Sequence, residues 1–118
     1  MDADRSLELD ETAGQHLQEL RRGTVALACL LRLRTPDYGW SLLETLNADG
    51  LDVDTNTLYP LLRRLEKQGL VTSAWNTDEA RPRKFYAVSP AGERLAALLA
   101  ADWHRLDAAL RRLMKDAR

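Results

Sequence analysis

Thr55-Asn56-Thr57-Leu58-Tyr59-Pro60-Leu61-Leu62-Arg63-Arg64-Leu65-Glu66-Lys67-Gln68-Gly69-Leu70-Val71 carries two different faces on one helical wheel. Leu58, Leu61, Leu62 and Leu65 recur at the i, i+3, i+4, i+7 spacing of a core-facing stripe, and Asn56, Pro60, Arg63 and Lys67 fall on the opposite side. Tyr59 and Arg64 flank that outer face. Asp54 or Asn56 can cap the start, and Gly69 supplies the left-handed residue that ends a helix, so that Leu70-Val71 can open a strand. Pro60 sits early, where its missing N–H costs little, and its ring points outward. A short helix that is greasy inside and carries amide, guanidinium and ammonium groups outside has the chemistry needed to read a DNA major groove.

The flanking chain supplies partners for such a helix. Upstream, Leu17 to Leu33 is helical in pattern, with Val25 to Leu31 apolar all round, which predicts a helix buried on more than one side. Thr35-Pro36-Asp37 breaks it. Tyr38 to Asn47 reads as a second helix with Leu42, Leu43 and Leu46 inward, Asp49-Gly50 ends it, and Leu51-Asp52-Val53 alternates like a very short strand. Downstream, Val71 to Trp75 and Lys84 to Val88 read as antiparallel strands joined by the polar loop Asn76 to Arg83, with Trp40 and Trp75 expected in packing or at the base of the hairpin. Arg81, Arg83 and Lys84 at the returning end are placed to meet phosphates, although any one of them alone could be an ordinary solvated charge. Ser89-Pro90 is a helix start. Beyond it Gly92, Ala96, Leu99, Trp103, Leu106, Leu110 and Leu113 step by 4 and 3 in a heptad seam, on a helix about 37 Å long at about 1.5 Å per residue.

Composition sets the limits. The 118 residues suit one domain, with 45% hydrophobic and 30% charged residues. No apolar run approaches the roughly 20 residues of a membrane span, and the acidic N-terminus is unlike a signal peptide, so a cytoplasmic protein is expected. The single Cys29 lies in an apolar run and reads as a buried thiol rather than a redox sensor. The net charge of -1 conceals an asymmetry: residues 1–16 hold five acids against one base, so the rest of the chain is +3. From Thr55 to Lys84 six bases face Glu66, Asp78 and Glu79, and a local basic patch matters more to a polyanion than the total. His16 and His104 belong to no metal-spacing pattern, and no phosphate loop or nucleophile elbow is present. No enzyme, cofactor or metal is expected.

The stretch Thr57-Leu58-Tyr59-Pro60, followed by Leu62-x-Arg64-Leu65-Glu66-x-x-Gly69-Leu70-Val71, resembles the recognition-helix signature of PadR-family transcriptional regulators, which are winged-helix DNA-binding proteins. The resemblance continues through Pro82-Arg83-Lys84-Phe85-Tyr86, like the family's wing motif, and through Val88-Ser89-Pro90-Ala91-Gly92. Upstream, Tyr38-Gly39-Trp40-x-Leu42 stands where the family commonly has His-Gly-Tyr-x-Leu. It covers roughly Leu17 to the end.

The resemblance implies a mostly α fold with a small β-hairpin wing: a winged helix-turn-helix followed by a long C-terminal dimerisation helix of the family's shorter type. Residues 14–89 are then expected to be the DNA-binding domain and 90–118 the dimerisation helix, while residues 1–13, acidic and without an apolar stripe, read by themselves as a flexible tail that can extend into the first helix. Thr55, Asn56, Thr57, Tyr59, Pro60 and Arg63 would face the groove of double-stranded DNA, and Arg64, Lys67, Arg81, Arg83 and Lys84 would hold phosphates. The seam Ala96, Leu99, Trp103, Leu106, Leu110 and Leu113 would form a symmetric homodimer suited to a pseudo-palindromic operator. Short regulators of this kind bind flat aromatic or amphipathic effectors at the dimer centre. Trp103 and Asp107 fall at the matching place, with Leu20, Gly23 and Leu27 to complete a cavity, though Trp103 reads equally well as an interface anchor. The expected function is a sequence-specific DNA-binding transcriptional regulator, a repressor released by such an effector. Two other readings stay open: a winged-helix protein-interaction module without DNA binding, and a passive carrier of aromatic compounds.

Overall fold

A computed structural model describes the backbone of residues 2–78 and 80–116 and the side chains of residues 9–78 and 80–116. Of the expectations above, the charge at Glu79 and the extreme ends of the tail and C-terminal helix lie outside the described residues. Seven elements follow one another: α1 (Asp2–Arg32), β1 (Asp37–Tyr38), α2 (Gly39–Ala48), α3 (Thr55–Lys67), β2 (Val71–Asn76), β3 (Arg83–Val88) and α4 (Pro90–Asp116). The strands form one antiparallel sheet in the order β1-β3-β2. The fold is the mostly helical winged helix-turn-helix with a long C-terminal helix.

The core is the meeting of three apolar stripes. Leu58, Leu61, Leu62 and Leu65 of α3 are between 0 and 6% exposed, against Leu42, Leu43 and Leu46 of α2 and Val25, Cys29, Leu30 and Leu33 around the end of α1. Burial pushes the Cys29 thiol up to about 12, so it stays protonated and unreactive at neutral pH. The residues that stop and start the elements hold them together. Asp54 caps α3, its carboxylate accepting from the Thr57 N–H at 2.8 Å. Gly69 ends it at φ +76°. The buried Ser89 hydroxyl then donates to the Gly69 carbonyl at 2.6 Å and accepts from the Gly92 N–H at 3.0 Å, which ties the end of α3 to the start of α4. Gly92 admits no side chain, because a Cβ there would stand 2.0 Å from the Leu70 carbonyl oxygen.

Three expectations are corrected. The N-terminal stretch expected as a flexible tail is helical: α1 begins at Asp2, since residues 2–13 contain neither Gly nor Pro and several strong helix formers, so nothing stops the helix from propagating through them. Leu51-Asp52-Val53 is not a strand. Asn47 makes both of its hydrogen bonds to Val53, Nδ2 to the carbonyl at 2.8 Å and Oδ1 from the N–H at 2.6 Å, while Asp52 takes φ +55°. One side-chain amide thus does what a neighbouring strand would have done. The true third strand is Asp37–Tyr38, read as a helix break and start, which pairs with Tyr86 and Phe85 of β3. The Tyr38 ring lies edge-on to Phe85 with centroids 5.2 Å apart.

Helix α4 divides in two. Its first turns pack on α1 and β3, with Ala96 only 4% exposed. Ala96 was expected on a dimer seam, but its small side chain allows α4 to lie close on its own domain, so the open part of the seam begins at Leu99. Beyond that point Trp103, Leu106, Leu110 and Leu113 are 46 to 65% exposed.

Candidate nucleic-acid interface

With its leucines turned inward, α3 presents Thr55, Asn56, Thr57, Pro60, Arg63, Arg64 and Lys67 to solvent. The inner stripe therefore fixes the outer one: rotation of the helix would expose leucines, so the amide and guanidinium groups keep one bearing. Tyr59 is only half exposed, because its ring edge packs on Gly39, where a Cβ would come within 2.7 Å of the ring. The Thr57 N–H is held by the Asp54 cap, and its side chain remains exposed.

The wing is latched to the helix on one face and to the start of α2 on the other. Strand pairing places Ser73 opposite Tyr86 and Trp75 opposite Lys84. From α3, Glu66 reaches this face, accepting from the Ser73 hydroxyl and from Lys84 Nζ at 3.2 Å. The Ser73 bond first, and Lys84 with it, hold the Glu66 carboxyl below its ordinary value. On the other face, Asn76 Nδ2 donates to the Tyr38 hydroxyl at 2.6 Å, and the Arg83 guanidinium lies 3.9 Å from the centre of the Tyr38 ring.

The basic residues expected to hold phosphates therefore fall into two groups. Arg64, Lys67 and Arg81 are exposed. Lys84 is a correction: it is two-thirds buried and bridged to Glu66, so its first role is to join wing to helix. Arg83 is exposed at its strand position yet stacked on Tyr38, so it lends charge to the surface from a fixed place. Sequence reasoning missed Glu66, Ser73, Tyr38 and Asn76 as the residues that set the angle of the wing. Their partners are 7 to 38 positions away in the chain, beyond the reach of any periodicity. Trp40 and Trp75, expected in packing or at the base of the hairpin, are 60% and 64% exposed.

A second cleft lies between α1 and α4. Leu20, Gly23 and Leu27 of α1 and Trp103 and Asp107 of α4 all line one cleft of about 470 Å³, together with Leu99, Leu106 and Leu110. Every residue expected to contact an effector is thus brought to one place. The walls are mainly apolar, with Glu19, Asp102 and Asp107 at the edges. Arg111 Nε donates to Asp107 at 3.0 Å and Arg105 Nε to Asp102 at 2.9 Å, so two of these carboxylates already have cationic partners on their own helix.

A helix with an apolar inner stripe and a polar outer one, beside a basic two-stranded wing, defines a winged helix-turn-helix protein of the DNA-facing kind. Residues 27–98 match the transcriptional regulator PadR-like family, and the chain belongs to that family. It is 35% identical over 77 residues to a transcriptional regulator of Mycobacterium tuberculosis, spanning 64% of this chain and 72% of that protein. Its fold superposes on a PadR family transcriptional regulator from Eggerthella lenta with a TM-score of 0.84 and 39% identity, covering 92% of this chain and 96% of the other. A PadR-like transcriptional regulator from Bacillus cereus shares the fold alone, at TM-score 0.74 and 22% identity over 81% of this chain and 96% of that one. The protein is a PadR-family transcriptional regulator. Among the described residues no helix is long and apolar enough to cross a membrane.

Proposed function

We propose that the chain binds double-stranded DNA sequence-specifically as a homodimer and represses transcription in the cytoplasm until an effector releases it. The observation that carries this reading is the fixed outward face of α3. Asn56, Thr57 and Arg63 are of the residue types that pair with base edges, and Arg64, Lys67 and Arg81 flank them as phosphate contacts. The dimer reading rests on the exposed half of α4: Trp103, Leu106, Leu110 and Leu113 continue a heptad seam that the chain leaves bare, and a two-fold copy would cover it. Two copies of α3 would then meet two half-sites of a pseudo-palindrome.

The effector reading rests on the cleft between α1 and α4, where an indole, an apolar floor and carboxylates at the edges suit a planar, amphipathic guest. Such a guest weakens DNA binding only to the degree that it prefers the arrangement of the dimer that does not fit the operator.

The test is selection of genomic DNA fragments by the full-length protein, then a salt series on the selected sequence. Arg63→Ala is expected to lower affinity and relax base preference. Arg81→Ala should weaken all sequences alike and reduce the salt slope by about 1. If no fragment is enriched, or if both variants lose affinity without regard to sequence, the assigned division between reading and anchoring is wrong. For the effector, planar aromatic compounds are titrated against the protein–DNA complex. Trp103→Ala should lose both binding and release, and unchanged behaviour would remove the sensing role.

A further inference from the structure

All three tryptophans are displayed rather than buried, and two of them, away from the cleft that Trp103 lines, share one groove. Trp40 stands at the second position of α2 and Trp75 near the end of β2, 60% and 64% exposed. Between them is a groove of about 220 Å³ that also takes in Tyr38, Tyr59, Arg83 and Lys84. Indoles are highly buried on average, so leaving two of them bare at one place needs an occupant.

The surroundings say which. The groove starts at Tyr59 on the edge of α3 and ends on the wing, so it adjoins the face proposed to enter a major groove. Among the described residues its lining holds Arg83 and Lys84, the latter bridged to Glu66, and no carboxylate, so the groove is without net negative charge where it adjoins the basic face of α3. It shares no lining residue with the cleft between α1 and α4, so it is separate from the proposed dimer and effector surfaces.

We infer that Trp40 and Trp75 form an apolar clamp on the deoxyribose–phosphate backbone of the DNA strand beside α3, a reading that rests on the DNA-binding function proposed above. Bases lie stacked inside the duplex and stay out of reach of rings standing to the side of the recognition helix. The deoxyribose faces, which alternate with phosphates along the strand, are what these indoles meet. Each ring covers a sugar, and its Nε1–H is free to point to a phosphate oxygen. Arg83 is stacked on Tyr38 and Lys84 is paired with Glu66, so both are held in place beside the groove while the tryptophans make the contact. A clamp of this kind sets affinity and register and is blind to sequence.

The test uses the full chain and a fragment selected by the wild-type protein, with Trp40→Ala, Trp75→Ala and the double variant compared in a salt series and by thermal melting. Each single variant is expected to bind about five- to tenfold more weakly, by the same factor on the selected and a scrambled duplex. The salt slope should stay at the wild-type value because no condensed cation is involved, in contrast to Arg81→Ala. The melting midpoint should hold, since both rings are exposed, and Trp75→Phe should restore most of the loss. Wild-type affinity in the double variant overturns the clamp. So does a loss confined to the selected sequence, which would mean base reading, or a lowered melting midpoint matching the lost affinity, which would mean a packing role. A change in oligomeric state with DNA affinity intact assigns the groove to a second copy and also overturns it. Failure of the wild type to select any fragment removes the DNA-binding reading together with the clamp, whereas selection by the wild type with unchanged variants removes the clamp alone.

Discussion

Helices α3 and α4 both carry an apolar stripe, and the two stripes meet different fates. That of α3 is covered from end to end by α1, α2 and the sheet. That of α4 is covered through Ala96, thins at Leu99, and is then only half covered from Trp103 to Leu110 and mostly open at Leu113. Periodicity announces that a face needs a partner, and it is present in both helices, more sharply in α3. Whether the chain itself supplies the partner depends on geometry: α3 lies within the domain, while α4 at 27 residues runs beyond it. The bare half is where a second molecule has something to gain.

Four changes would break or sharpen that contrast. The largest effect is expected at the centre of the covered stripe, where Leu62 is fully buried. Leu62→Ala should lower unfolding free energy by about 2–5 kcal/mol, measured by denaturant titration, and a loss near zero would mean that the core collapses around the cavity. On the bare stripe, Leu110→Asp puts a charge into the proposed homodimer seam. Association should weaken by at least about a hundredfold in sedimentation, with a helical spectrum retained. A variant that still sediments as a dimer would place the interface elsewhere.

At the start of the covered half of α4, Gly92→Ala drives a methyl group toward the Leu70 carbonyl. It should cost about 1–3 kcal/mol of folding stability and leave the association of the folded chain unchanged. If it disrupts the dimer instead, the first half of α4 is not anchored to its own domain in solution.

The smallest effect concerns the wing latch. Glu66→Gln removes an ion pair that is about one-third exposed and worth less than about 1 kcal/mol. Because the folded protein holds the Glu66 carboxyl below its ordinary value of 4.5, the contribution is present above that pH and is lost as pH falls through the lower folded value. The gap between wild-type and variant melting midpoints should therefore close on acidification. A gap that persists at the acid end would show that the Ser73 hydrogen bond, not charge, holds the wing.

Much of this architecture is legible in the residues alone, because it depends on neighbours a few positions apart. The stripe of α3, the Asp54 and Ser89 caps, the stop at Gly69 and the basic returning strand each follow from local rules of spacing and backbone conformation. The resemblance to the family carried the rest of the candidate site, and it pointed to five of the residues that line the cleft between α1 and α4. Other features could not be read in that way. A two-residue strand such as Asp37–Tyr38 has no periodicity of its own and exists through its pairing with β3. Asn47 displaces a strand by one side-chain amide. Charge type does not distinguish Lys84, taken up by Glu66, from Arg81, which is exposed.

The sequence by itself determined the four helices in outline, the hairpin and their inward faces, since helix period, caps and glycine stops act over one or two turns. Only the tertiary structure decided which groups are occupied and which are left open. It consigned Ala96 to the core and Lys84 to a latch, and it left Trp40, Trp75 and the second half of α4 uncovered. Burial and charge pairing join residues far apart in the chain, and such contacts are set only when the packed elements fix where each side chain ends.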